Sequence, residues 1–290
     1  MTHIVQFSGG KDSTALVLWA KEQGWPFTAV FCDTGWEHPL TYAYIQYINE
    51  TQLGGKLVTV KSERFPNGMV DLVRHKGMVP RSRMRFCTEH LKIIPMRNYI
   101  ATLDDDVTMY QGVRADESAQ RAAMGCRVYD EQCDCWIERP LFDWSASRVF
   151  GLIQKHGVRF NELYKLGNSR VGCWPCVMSG VGEWTRLNKM MPETWGRARL
   201  LEDAANQGRA EGKCANGGGT VSVATFFKAG MIPERFCSGV SPRVPSEDRP
   251  ETTFVYATVD DVKRYVEGPN DPRLWDDEPT RCLSVYNLCE

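Results

Sequence analysis

Apolar and polar positions fall into short blocks of two kinds along the first half of the chain. Runs of four or five mostly apolar and β-branched residues, at 4–7, 27–31, 56–60 and 107–110, predict strands, the first two buried, and three of them end in turns with glycine, aspartate or glutamine. Between them lie longer stretches with helical spacing. One starts in the polar residues after Gly10 and stops at Gly24-Trp25-Pro26, and a second spans 39–50. Strand, helix and strand within roughly thirty residues make a βαβ unit. Such a unit has parallel strands and a right-handed crossover, so the pattern predicts an α/β fold doubly wound about a parallel sheet.

Beyond the strands, Ser145 is placed to N-cap an amphipathic helix running to residue 153, and 192–216 reads as helix-rich. Gly217-Gly218-Gly219 reads as a flexible break, 233–250 as a loop crowded with Pro, Ser and Arg, and 259–266 as a short helix. The organisation expected is a nucleotide-binding domain at 1–180. A cysteine-bearing C-terminal extension of helices and loops follows at 181–290, separate from it or packed on it.

Candidate chemistry begins at the first turn, Ser8-Gly9-Gly10-Lys11-Asp12-Ser13. Two glycines let backbone amides approach an anion, and the helix start that follows adds a favourable dipole. Ser8 and Ser13 bring hydroxyls, and Lys11 brings a mobile positive charge suited to phosphate oxygens. The spacing is not that of a Walker A loop, which needs Gly-x-x-x-x-Gly-Lys. The run resembles the PP-loop, Ser-Gly-Gly-x-Asp-Ser, of the N-type ATP pyrophosphatases and their relatives, the phosphoadenosine phosphosulfate (PAPS) reductases. That resemblance implies the adenine nucleotide alpha hydrolase-like fold, with the loop on the pyrophosphate part of ATP or on the anion of a sulfonucleotide.

Three more segments extend the resemblance, which covers about residues 4 to 180. Cys32-Asp33-Thr34-Gly35-Trp36, after the second strand, is similar to the superfamily's Val-Asp-Thr-Gly segment and places Asp33, Thr34 and Gly35 on the adenosine. Gln111-Gly112-Val113-Arg114-Ala115-Asp116-Glu117-Ser118, with Arg121 after it, resembles Gly-x-Arg-x-x-Glu-Ser-x-x-Arg. Gly112, Arg114 and Glu117 are thereby expected at the nucleotide. Arg114 is suited to bidentate phosphate or sulfate contact, and the acids either hold Mg²⁺ or orient the arginines. The basic stretch Lys76, Arg81, Arg83, Arg85 and Lys92 carries few neutralising carboxylates and points to an anionic ligand, although a solvated helix face has the same composition. Within it, Arg85-Phe86-Cys87-Thr88 and Leu91-Lys92 resemble the reductases' Arg-x-Cys-Thr-x-x-Leu-Lys segment.

Net charge of −1 with 24% charged residues excludes a global field for nucleic acid or anionic membrane. No apolar run has the length of a membrane span, and Met1 leads straight into a strand, so a cytoplasmic protein is expected. Eleven cysteines in a reducing compartment favour metal or redox chemistry over disulfides. Cys173-Trp174-Pro175-Cys176, after Asn161-Glu162-Leu163-Tyr164, resembles segments of cluster-bearing adenylylsulfate reductases and of DndC-like proteins of DNA phosphorothioation. It implies a [4Fe–4S] cluster on Cys87, Cys173, Cys176 and a carboxyl-terminal cysteine, Cys289 ahead of Cys282, with zinc as the alternative. Phe86-Cys87 stands where those reductases have two adjacent cysteines, and their Glu-Cys-Gly-x-His tail is absent.

The function expected is ATP cleavage to AMP and pyrophosphate, adenylating an acceptor for sulfur transfer, with Lys11, Asp12 and Arg114 as the catalytic set. Partners implied are an adenine nucleotide, a sulfur donor such as a cysteine desulfurase, and an acceptor that includes nucleic acid among its candidates. Two alternatives stand beside this: a sulfonucleotide reductase that releases sulfite, and a non-catalytic nucleotide-sensing subunit.

Overall fold

The computed structural model describes residues 1–81, 84–168, 170–213, 223–228, 230–242 and 253–268. Arg83, Gly217-Gly218-Gly219, Cys282 and Cys289 lie outside the described residues. The chain divides into two compact units. One holds residues 1–63 and 91–173; the other holds 64–90 with the described residues from 174 on. The division expected at residue 180 is continuous in sequence, whereas these units are not.

The first unit is built on β1 (Thr2–Phe7), α1 (Lys11–Gln23), β2 (Thr28–Cys32), α2 (Pro39–Gln52) and β3 (Val58–Val60). It continues with α3 (Ile94–Ile100), β4 (Val107–Tyr110), β5 (Arg127–Asp130), β6 (Cys135–Glu138) and α4 (Ala146–Lys155). The sheet order is β3-β2-β1-β4-β6-β5, parallel throughout except for the edge strand β5. Side chains alternate across it as the period of two requires. Val5, Phe7, Phe31 and Tyr110 pack with α1, α2 and α4 on one face. Ile4, Val30, Met109 and Ile137 pack with Met96 and Ile100 of α3 on the other. Both faces are covered, as a doubly wound parallel sheet demands. The strand order reverses between β1 and β4, so a crevice opens beyond their carboxyl ends, the usual ligand position in such sheets.

Local chemistry explains the ends of these helices. Gly24 closes α1 in the left-handed conformation at φ 74°. His38 opens α2 by accepting the Leu40 amide on Nδ1, with Pro39 at the first helical position. Ser145 caps α4 through the Arg148 amide, as its sequence position suggests. The β5–β6 hairpin was not expected. Three of the four residues of β5 are exposed, and its turn contains no glycine. Asp134 supplies the positive φ of 50° instead.

In the second unit the helix Met69–Lys76 crosses the helix Thr194–Ala210 at close range. A β-carbon on Gly208 would lie 1.8 Å from the Arg74 carbonyl oxygen, so the crossing admits only glycine there. Arg209 Nε donates to the Gly77 carbonyl at 2.7 Å, and Arg74 pairs with Glu211. Trp184, Trp195, Phe226 and Phe227 form its aromatic core. The region expected as loop at 233–250 contains strand β7 (Gly239–Pro242), which pairs antiparallel with β8 (Thr253–Tyr256). Its Pro-rich composition concealed four residues of regular pairing. No helix among the described residues is long and apolar enough to cross a membrane.

Candidate functional site

The loop between β1 and α1 is held by its own residues. Gly9 has φ +74°, and a β-carbon there would press to 3.0 Å from both Thr41 and Ile45 of α2. Gly10 is the N-cap of α1 and has no side chain with which to cap that end. The Gly10 carbonyl accepts from the Thr14 amide and hydroxyl, both at 2.9 Å, and from the Ser13 hydroxyl at 3.0 Å. Ser13 Oγ also accepts from Ser8 N at 3.1 Å, which ties the two ends of the loop together. The loop's own hydrogen bonds thus shape it, and its helix start is left to groups outside the helix.

Charge is concentrated around one carboxylate. Asp12 Oδ2 lies 3.0 Å from Lys11 Nζ, and Asp12 Oδ1 accepts from Arg114 Nε at 2.6 Å. Lys11 and Arg114 are buried. Arg114 Nη1 also donates to both oxygens of Asp116, at 2.6 and 2.7 Å, and to the Trp144 carbonyl at 3.1 Å. Burial alone lowers a guanidinium pKa, but Asp12 and Asp116 outweigh it and raise that of Arg114. Glu117 accepts the Arg114 amide at 3.3 Å and pairs with Arg121. Both acids of this segment thus pair with its arginines. Gly112 lets the segment reach the loop at all, since a β-carbon there would stand 2.9 Å from the Asp12 carbonyl oxygen.

The loop after β2 forms a second cluster in the same unit. Asp33 accepts from the Gly35 amide at 2.9 Å and the Tyr42 hydroxyl at 2.7 Å, and pairs with Lys61 at 2.8 Å. Burial raises a carboxyl pKa, yet Lys61, Tyr42 and the Gly35 amide together hold Asp33 below the usual carboxylate range. Glu37 is buried and accepts from Thr34 Oγ1 at 2.7 Å, with the Tyr42 hydroxyl at 3.0 Å. Burial and the two carboxylates push the Tyr42 hydroxyl strongly up. The backbone of Cys173 bridges to that of Glu37, and Cys173 Sγ lies 4.0 Å from Thr34 Oγ1. Cys32, at the end of β2, is pushed up to about 12 by burial.

Ser8, Gly9, Gly10, Lys11, Asp12, Ser13, Gly112, Arg114 and Glu117 thus form one contiguous site at the end of β1 and β4. Asp33, Thr34 and Gly35 sit at the neighbouring strand end. Glu37 and Tyr42 were not singled out by sequence. The only signal for them was two polar residues close behind Asp33, which any loop could carry. Lys76, Arg81 and Arg85 belong to the second unit. Arg81 is half-buried there, with Nη2 3.4 Å from Thr225 Oγ1.

The cysteines divide between the units: Cys173 is in the first, Cys87 and Cys176 in the second, all three half-buried. Among the described residues no group of three or more His, Cys, Asp or Glu is gathered to hold a metal. The expected fourth thiolate, Cys289 or Cys282, lies outside the described residues. Cys133 and Cys135 are buried in the sheet's second core instead.

The phosphoadenosine phosphosulfate reductase domain matches residues 2–179. An uncharacterized 37.8 kDa protein of Escherichia phage 186 is 32% identical over 284 residues, covering 80% of this chain and 81% of that one. Adenosine 5'-phosphosulfate reductase of Allochromatium vinosum is 28% identical over 198 residues, 64% of this chain and 73% of that enzyme. Among solved structures, a phosphoadenylyl-sulfate reductase of Candida auris, crystallised as a phosphate complex, aligns with a TM-score of 0.48 at 19% identity. That alignment covers 61% of this chain and 83% of the other.

Proposed function

Because the chain belongs to the phosphoadenosine phosphosulfate reductase family, we propose that it binds ATP at the Ser8–Ser13 loop and cleaves it to AMP and pyrophosphate. An acceptor nucleophile attacks the α-phosphorus, the bond from that phosphorus to the bridging oxygen breaks, and pyrophosphate leaves with the electron pair. The observation that carries this reading is the pair of buried cations, Lys11 and Arg114, held on Asp12 beside a complete loop. Charge on the departing pyrophosphate is what two such cations stabilise. The loop amides with Ser8 and Ser13 take the polyphosphate, while Asp33, Thr34 and Gly35 take the adenosine. Mg²⁺ on the triphosphate would neutralise further charge when bound. The acceptor is a sulfur-transfer substrate, nucleic acid included, and its sulfur comes from a donor such as a cysteine desulfurase.

A second reading, reduction of a sulfonucleotide with release of sulfite, is favoured by the similarity to adenosine 5'-phosphosulfate reductase. Pyrophosphate formed from ATP, against sulfite formed from a sulfonucleotide and a thiol, separates the two. Binding of ATP with neither product indicates a nucleotide-sensing subunit. Under the first reading Lys11→Ala loses about ten- to a hundredfold in pyrophosphate release, the worth of one charge-assisted phosphate contact.

The same reading includes a [4Fe–4S] cluster on Cys87, Cys173, Cys176 and Cys289, or zinc in its place. Anaerobic protein is then expected to carry iron and acid-labile sulfide, both lost in Cys173→Ala. Stoichiometric zinc without iron selects the alternative, and neither metal removes the proposal.

A further inference from the structure

We propose that Tyr164 is a positioning residue for Lys11, holding it at both ends of its length; this rests on the reading of the Ser8–Ser13 loop as a polyphosphate cradle. The helix α1 begins without a side-chain cap of its own. Its Lys11 amide instead donates to the Tyr164 hydroxyl at 2.9 Å, from a residue 153 positions away. The Lys11 ammonium lies 5.8 Å from the centroid of the same ring. One side chain therefore meets both the backbone amide and the charged tip of the lysine.

The hold on Tyr164 is itself rigid. It stands 3% exposed on the short helix Glu162–Lys165, its ring packed edge-on against Phe150 of α4. Asn161 caps that helix by accepting the Leu163 amide at 3.0 Å, and its Nδ2 donates to the Gly9 carbonyl at 3.1 Å. The helix is thus fastened to the loop on either side of Gly10. A β-carbon on Gly10 would lie 3.5 Å from the Tyr164 hydroxyl and 3.6 Å from the Val171 carbonyl oxygen, so this segment roofs the loop.

Loss of the hydroxyl leaves a buried amide without its acceptor, and the first turn of α1 must reorient to find another. The ammonium then leaves the position from which it serves the departing pyrophosphate. Ser8, Ser13 and Arg114 still bind the nucleotide. The expected signature is a fall in kcat with KM preserved.

The test uses the full chain with Tyr164→Phe, which keeps the ring and removes the hydroxyl. Deuterium exchange of the Lys11 amide is expected to quicken about tenfold, and kcat for pyrophosphate release from ATP to fall by a similar factor, with KM within about twofold. In a Lys11→Ala background the same change is expected to cost nothing further, since Tyr164 acts through Lys11. Unchanged exchange at Lys11, a KM that rises in step with the loss, or a full additional loss in Lys11→Ala each overturns the assignment. A wild-type protein that releases no pyrophosphate defeats the proposed reaction instead. In that case exchange at Lys11, faster or unchanged in Tyr164→Phe, decides the role of Tyr164 alone.

Discussion

The two oxygens of Asp12 face different cations, Arg114 at 2.6 Å and Lys11 at 3.0 Å, in a setting where both cations are buried. Removing the carboxylate leaves the buried Lys11 ammonium without its ion-pair partner, while Arg114 keeps Asp116, and an uncompensated buried charge costs more than the ion pair contributes. Asp12→Ala is therefore expected to destabilise the fold by about 3 kcal/mol. Restored stability in the double variant Asp12→Ala, Lys11→Met, read by denaturant unfolding, would identify the uncompensated charge as the cause. Full stability of the single variant would refute the account. At this scale the loop was legible almost residue by residue, because glycine, hydroxyl and lysine requirements are local. Glu37 and Tyr42 were not, since their role exists only once α2 folds back on the β2 loop and brings Tyr42 between two carboxylates.

Among the elements, the helix Thr194–Ala210 combines a crossing that only Gly208 permits with a misplaced acid. Burial pushes the Glu202 carboxyl up to about 7, only partly offset by its bond from the Phe226 backbone, and among the described residues its Oε2 has no hydrogen-bond partner. The folded chain thus holds a proton that the unfolded chain releases near pH 4.5, so this contribution to stability is present at low pH and lost as pH rises toward 7. Glu202→Gln keeps the neutral form at every pH. It is expected to match the wild type at pH 4 and to melt roughly 2–4 °C higher at pH 8, about 1 kcal/mol after discounting partial exposure. Equal melting temperatures at both pH values would show that Glu202 is ionised without penalty. Helix 194–210 was readable as helix, but nothing in its sequence marks Glu202 as inward-facing, because that depends on where Phe226 comes to rest. The β5–β6 hairpin escaped for the related reason that an exposed edge strand shows no buried alternation.

For the whole molecule, the parallel sheet followed from apolar runs whose residues are buried on both faces, a pattern that does not depend on distant partners. The assignment of residues 64–90 to a unit otherwise made from 174 onward depends on such partners entirely. It also orders events during synthesis. The helix Met69–Lys76 leaves the ribosome long before its counterpart, since Arg74 pairs with Glu211, 137 positions later. Meanwhile every strand of the six-stranded sheet has emerged by Glu138. The nucleotide-loop unit has its strands in hand while Met69, Leu72 and Val73, buried in the finished protein, still lack their cover. Closing so long a loop is slow compared with local pairing. The nascent chain therefore carries an apolar insertion through that interval, and the segment most in need of a chaperone lies inside the half that folds first.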